Sequence, residues 1–184
     1  MRNIVILLAL LLTGCDLFRL RDSEPPAKPA PWNDYATNWD LCLENLEYCF
    51  EDGRNAVKYA GLFAEDFSFS FATQDVNDFG LSPVWNTAQE QDMLLNLHSQ
   101  TDSIAITLNA LESQPDEISS DQARIYRSYE LLRHPPGGTE PVLYRGNLEI
   151  LFKKSGGYWY ISKWYDYRAY SNPTWGKLKY DFSV

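Results

Sequence analysis

Few chemically versatile side chains in this 184-residue sequence stand in a pattern that commits them to a reaction. His98 falls four residues after Leu94 and one after Leu97, at the edge of an apolar helical face. That place predicts a ring hydrogen-bonded to backbone more readily than a proton shuttle. Arg127 shares a two-residue period with Ile125 and Tyr129, so a regular strand turns it toward the interior, while a bulge turns it to solvent. Tyr129 and Tyr144 alternate with aliphatic residues on neighbouring strands, where a hydroxyl meets either a ligand or a polar partner at the rim. Asp166, in Trp164-Tyr165-Asp166-Tyr167-Arg168, shares parity with Trp164 and Arg168, which predicts an ion pair on one sheet face. These five residues form the candidate pocket set, and none of them is assigned a catalytic role. Cys42 and Cys49 lie seven apart, about 10.5 Å along a helix axis, too far for a disulfide, and read as small core residues. With His98 and His134 they lack the close ligand pairs of a zinc site, so no metal is expected. The sequence also lacks a Gly-x-Ser-x-Gly elbow, a phosphate loop, a dinucleotide fingerprint and a His-Glu-x-x-His motif, and no cofactor is expected.

One cysteine does stand in a committed setting. Arg2 is followed by the apolar run Ile4–Leu12 and then by Leu12-Thr13-Gly14-Cys15. Nine apolar residues are too few for a membrane-spanning helix, which needs about 20, so the segment reads as a secretory signal. The four closing residues resemble the bacterial lipobox, which implies cleavage before Cys15 and acylation of its thiol. Residues 16–31 then carry four of the ten prolines and read as an extended tether. The expected organisation is a signal peptide over 1–14, a lipidated cysteine and tether over 15–31, and one domain over 32–184. Its place is a bacterial envelope, anchored by lipid and facing the periplasm, with the choice of membrane left open.

The domain opens with helical periodicity. Cys42, Leu43, Leu46, Cys49 and Phe50 recur at intervals of three and four, with Thr37 and Asp40 as an expected capping pair and Asp52-Gly53 as the break. A second short helix is expected to turn Val57, Ala60, Leu62 and Phe63 inward. Phe67, Phe69 and Phe71 alternate with serines as a half-buried strand, and a polar loop with Asp75, Asp78 and Gly80 is expected next. Thr87-Ala88-Gln89-Glu90 reads as a capping box for a helix to about Ser99. Strands are expected around Ile104–Leu108 and over Gln122–Leu132, Val142–Phe152 and Tyr158–Arg168. Three helices and one short strand, followed by four long antiparallel strands, make an α+β fold.

Several stretches carry a resemblance: Asn45-Leu46-Glu47-Tyr48 through Asp52, then Tyr59, Leu62-Phe63-Ala64-Glu65-Asp66-Phe67, Trp85 with Glu90, and Tyr158-Trp159-Tyr160-Ile161. They are similar to the nuclear transport factor 2-like superfamily, in particular to small bacterial lipoproteins of that type, over residues 38–179, including the tail Trp175-Gly176-Lys177-Leu178-Lys179. The resemblance implies a curved antiparallel sheet wrapped around the N-terminal helices, a cone whose open end can hold a ligand. It also implies that the outer sheet face can form a homodimer. Ketosteroid isomerase and two-histidine dehydratase arrangements do not map onto this sequence residue by residue.

Sixteen Lys and Arg against 25 Asp and Glu, a net charge of −9, exclude a nucleic-acid binder, because phosphates need clustered cations. The last strand has aromatics on both parities, Tyr158, Tyr160 and Trp164 on one, Trp159, Tyr165 and Tyr167 on the other. The expected function is a non-catalytic envelope domain that binds an apolar small molecule or an envelope protein. The alternative is an isomerase, dehydratase or cyclase acting on a hydrophobic small molecule in the cone.

Overall fold

The computed structural model describes residues 32–53 and 55–183, with Asp52 and Gly53 as backbone only. The signal peptide, Cys15 and the tether lie outside the described residues. Helix α1 (Trp39–Tyr48) buries Cys42, Leu43 and Leu46 and runs into a π-helical turn, Cys49–Gly53. The expected Thr37/Asp40 cap does not form: Asn38 is the N-cap residue and makes no side-chain cap bond, and the Asp40 carboxylate accepts from the Leu41 N–H. Tertiary pairing fixes the entry instead, through a Trp159 N–H that donates to the Ala36 carbonyl. Helix α2 (Ala56–Ala60) is only five residues long and turns Ala56 and Tyr59 inward, leaving Val57 73% exposed rather than buried.

Strand β1 (Phe63–Ser70) points Phe67 and Phe69 into the core, and Phe71 follows them there. The stretch expected as a polar loop is helix α3 (Thr73–Phe79), closed by Gly80 in the left-handed region at φ 65°. Its Asp75 is buried, and that tertiary demand outweighs local composition. After the two-residue β2 (Val84–Trp85) comes helix α4 (Thr87–Ser99). Its capping box sits one residue earlier than expected: the Asn86 side chain accepts from the Ala88 and Gln89 N–H groups at 3.0 and 3.2 Å, and Gln89 Oε1 accepts from the Asn86 N–H at 3.0 Å. Glu90 is thereby released from capping and enters the core, with Met93, Leu94 and Leu97 on the same face.

The remaining strands are β3 (Ser103–Ala110), β4 (Glu117–Ile118), β5 (Gln122–His134), β6 (Val142–Ser155) and β7 (Tyr158–Tyr167). A last helix, α5 (Trp175–Asp181), occupies what reads in sequence as a tail. The sheet runs β2-β1-β7-β6-β5-β3, with β4 beside β5, and it is curved and unclosed. The four long C-terminal strands are antiparallel as expected, while β1 lies parallel to β7 and makes the sheet mixed. One irregularity governs everything that follows. Ile161 pairs with Phe152 but Lys163 pairs with Leu151, so β7 carries an extra residue, a bulge at Ser162-Lys163. The bulge reverses side-chain parity, so that Trp159, Ile161, Trp164 and Asp166 all point inward.

Candidate functional site

The concave side of the sheet is filled, not hollow. Trp175, the first residue of α5, is fully buried, and its ring meets Phe50, Tyr129 and Trp164 edge to face, with centroids 5.0, 5.4 and 4.8 Å apart. Edge-to-face contacts add about 0.5–1.5 kcal/mol each beyond area burial.

Three buried carboxylates hold α5 in place. On β7, Asp166 accepts a hydrogen bond from the Tyr129 hydroxyl at 2.7 Å and from the Gly176 N–H at 2.6 Å. The Tyr129 oxygen in turn accepts from the Trp175 N–H at 2.7 Å. Two of the orphan donors of the helix start are thus satisfied inside the protein. Two glycines make this approach possible. A Cβ on Gly146 would lie 2.5 Å from the Tyr129 hydroxyl, and one on Gly176 would lie 2.9 Å from both Asp166 Oδ2 and Phe71 Cδ1.

The second carboxylate is Glu90 of α4. It accepts from Lys179 Nζ at 2.6 and 2.7 Å and from the Tyr59 hydroxyl at 2.7 Å, with Glu90 and Lys179 both 0% exposed. The ammonium also lies 3.7 Å from the centroids of the Phe69 and Trp164 rings, whose faces attract it. The third is Asp75 of α3, bound by Arg168 and by the Thr174 hydroxyl. Thr174 also caps α5 by accepting from the Lys177 N–H at 3.0 Å.

Burial dominates the electrostatics. It pushes the Asp166 carboxyl up to about 6, with the Asp75 charge adding to it, while the bonds from Tyr129 and Gly176 and the charge of Lys179 oppose it. Burial lowers the Lys179 amine to about 8 against the pull of Glu90. The Tyr129 and Tyr59 phenols are raised well above their ordinary value by burial, then by Asp166 and Glu90 respectively. In a hollow cone, Tyr129 and a carboxyl near 6 would suit proton transfer. Here their hydrogen-bonding capacity is spent on the backbone of α5.

Of the five candidate pocket residues, the structure brings only Tyr129 and Asp166 together. His98 bonds through Nε2 to the Cys49 carbonyl at 2.8 Å. Arg127 forms a two-pronged ion pair with Asp116 at 2.7 and 2.6 Å, at the break between β3 and β4. Tyr144 is buried on β6, where burial and the Asp181 charge raise its phenol and Arg133 opposes them. Asp166 is not paired with Arg168. The bulge sends Asp166 inward, and Arg168, beyond the strand end, reaches Asp75 and Asp78. Sequence reasoning missed Tyr59, Glu90, Asp75, Thr174 and Lys179. A signal existed for two of them: Glu90 precedes Met93 and Leu94 by three and four residues, and Lys179 follows Trp175 by four, so each charge lies on an apolar helical face. Cys42 and Cys49 are buried free thiols, pushed up to about 12 by burial. Among the described residues no group of His, Cys, Asp and Glu is placed to hold a metal.

Open space lies on the outside. A groove of about 420 Å³ crosses the outer face, lined by Asp66, Glu117, Arg124, Leu151, Lys153 and Lys163 among others. A second, of about 270 Å³, runs between the N-terminal entry and the β6–β7 hairpin. Neither reaches Tyr129 or Asp166.

No protein-family model matches the sequence, and no curated protein does. Solved structures do match in shape. A type 2 hexachlorocyclohexane dehydrochlorinase, LinA, superposes with a TM-score of 0.54 at 14% identity, over 70% of this chain and 81% of the other. A Novosphingobium aromaticivorans protein assigned as a scytalone dehydratase gives 0.56 at 14% identity, over 75% and 91%. The fold is the nuclear transport factor 2-like cone. A third cone from the same organism, assigned as the β subunit of an aromatic-ring-hydroxylating dioxygenase, gives 0.52 at 18% identity, over 70% and 85%. At such identities the cone is shared, and activity is not carried with it.

Proposed function

We propose that this chain is a lipid-anchored envelope domain that works by binding through its outer surfaces rather than by chemistry inside its cone. The observation that carries the reading is α5, which seats Trp175 among Phe50, Tyr129 and Trp164 and occupies the hydrogen-bonding groups of the Tyr129–Asp166 pair. Leu12-Thr13-Gly14-Cys15 supports the anchor, and the proline-rich stretch to residue 31 supports a domain held off a membrane. The test is native mass spectrometry of the full chain released from membranes in mild detergent. The expected spectrum shows an acylated chain, as one or two protomers, with no small organic molecule retained. A stoichiometric small-molecule adduct would overturn the closed cone.

A second reading has one specific observation in its favour. Asp166 and Tyr129 form a buried acid–base pair with the carboxyl near 6, and two of the structural neighbours are named as a dehydrochlorinase and a dehydratase. In that reading the chain is an isomerase, dehydratase or cyclase for a hydrophobic small molecule, and α5 must leave before substrate enters. Removing residues 174–184 and assaying proton exchange on a panel of cyclic ketones separates the two, since the binding reading predicts no turnover.

A further inference from the structure

The chain enters its domain at Trp32, and three features converge there. Trp32 and Tyr35 belong to the entry segment, whose Ala36 carbonyl accepts from the Trp159 N–H of the β6–β7 hairpin. Tyr158, at the start of β7, leans on Tyr35 with the rings tilted by 30° and centroids 5.4 Å apart, and the two residues are 37% and 67% exposed. From α2, Lys58 lays its ammonium over the Trp32 ring at 4.6 Å. Trp32, Tyr35, Tyr158 and Tyr160 thus rim the groove of about 270 Å³.

Two exposed phenol rings beside a half-buried indole, its ring set against Tyr48 and under a lysine ammonium, suit a membrane–water interface. Their flat apolar bodies enter the acyl boundary, while hydroxyl and ammonium groups stay among the headgroups. Position along the chain selects the same occupant. By sequence, 16 residues separate Cys15 from Trp32, so the rim around Trp32 is the part of the domain closest to its attachment along the chain. A tether confines that rim to a high effective concentration of bilayer, so weak contacts suffice. Charge sets the kind of bilayer. Asp34 lines this groove and Glu65 lines the neighbouring one, so the lysine is offset, and the whole chain carries −9. Neutral headgroups are accommodated, and strongly anionic surfaces are not.

We infer that the aromatic rim formed by Trp32, Tyr35 and Tyr158 is a membrane-docking surface, which lays the N-terminal end of the cone on a zwitterionic bilayer and turns the opposite end outward. This inference rests on acylation of Cys15. The experiment uses the full acylated chain in vesicles of phosphatidylethanolamine and phosphatidylcholine whose acyl chains carry bromine, a contact quencher of tryptophan. Quenching of one emission component is expected, lost in Trp32→Phe and reduced in Tyr35→Ser/Tyr158→Ser. Circular dichroism should confirm that both variants are folded. Acylated protein that shows no quenching, or quenching unchanged in Trp32→Phe, overturns the docking surface. A photo-crosslinker at position 35 that captures a protein instead of lipid does so too. Absence of acyl mass on the Cys15 peptide instead overturns the anchor, and the docking inference falls with it.

Discussion

At the scale of residues, the buried charges make measurable demands. Lys179 and Glu90 are both fully buried, so removing one leaves the other uncompensated. Lys179→Met is expected to cost about 3–5 kcal/mol in urea denaturation, and Glu90→Met added to it should recover most of that loss. Asp166 gives a pH signature. Its carboxyl is raised from 3.8 to about 6 in the folded protein, so the folded state holds the proton more tightly than the unfolded chain. The stability Asp166 contributes is therefore fully present below pH ~4 and is lost as pH rises through ~6. Against Asp166→Asn, the wild-type curve should fall by about 3 kcal/mol across that window, and parallel curves would show that the carboxyl does not titrate there. The candidate set pointed at Tyr129 and Asp166 individually. Their meeting was not legible: parity puts Asp166 and Arg168 on one face, but β7 ends at Tyr167 and Arg168 leaves it for Asp75 and Asp78, while a single extra residue at Ser162-Lys163 sets Asp166 on the inward face of Trp159 and Ile161.

At the scale of elements, helix starts were the most legible feature and still moved by one residue. Asn86, not Thr87, caps α4, so Asn86→Ala should lower the melting temperature by the equivalent of about 0.5–2 kcal/mol, with Thr87→Ala near neutral. Helix α3 escaped a reading from periodicity because its one buried side chain, Asp75, is polar and is held by Arg168 and Thr174, nearly a hundred residues away in sequence. The fit of α5 is tight at its second residue. Gly176→Ala pushes a methyl to 2.9 Å from Asp166 Oδ2 and Phe71 Cδ1, and should cost about 1–3 kcal/mol by overpacking. A neutral result in calorimetry would mean that the helix seats more loosely than described.

At the scale of the whole molecule, α5 decides whether the cone is a core or a pocket. The native chain is expected to leave the dye anilinonaphthalene sulfonate dark. A chain ending at Pro173 should bind it, because Phe50, Tyr129 and Trp164 lose the ring that covers them. Dye bound equally by both chains would show that the cone is open with α5 present. At its other end the molecule should be held by its anchor: Cys15→Ser is expected to move the protein from detergent phase to aqueous phase.

What the sequence determined by itself is whatever depends on near neighbours. Alternation placed the long antiparallel strands, and apolar intervals of three and four placed α1 and α4. Only the tertiary structure decided the parallel pairing of β1 with β7, the inward turn of Asp166 and the filling of the cone by Trp175. Each of these joins groups distant in the chain, and their energies come from burial and hydrogen bonding between partners that no local pattern names. A bulge shifts register by one residue at small cost and turns every following side chain to the other face. A charge enters the interior only when its partner is already waiting there, as Glu90 waits for Lys179.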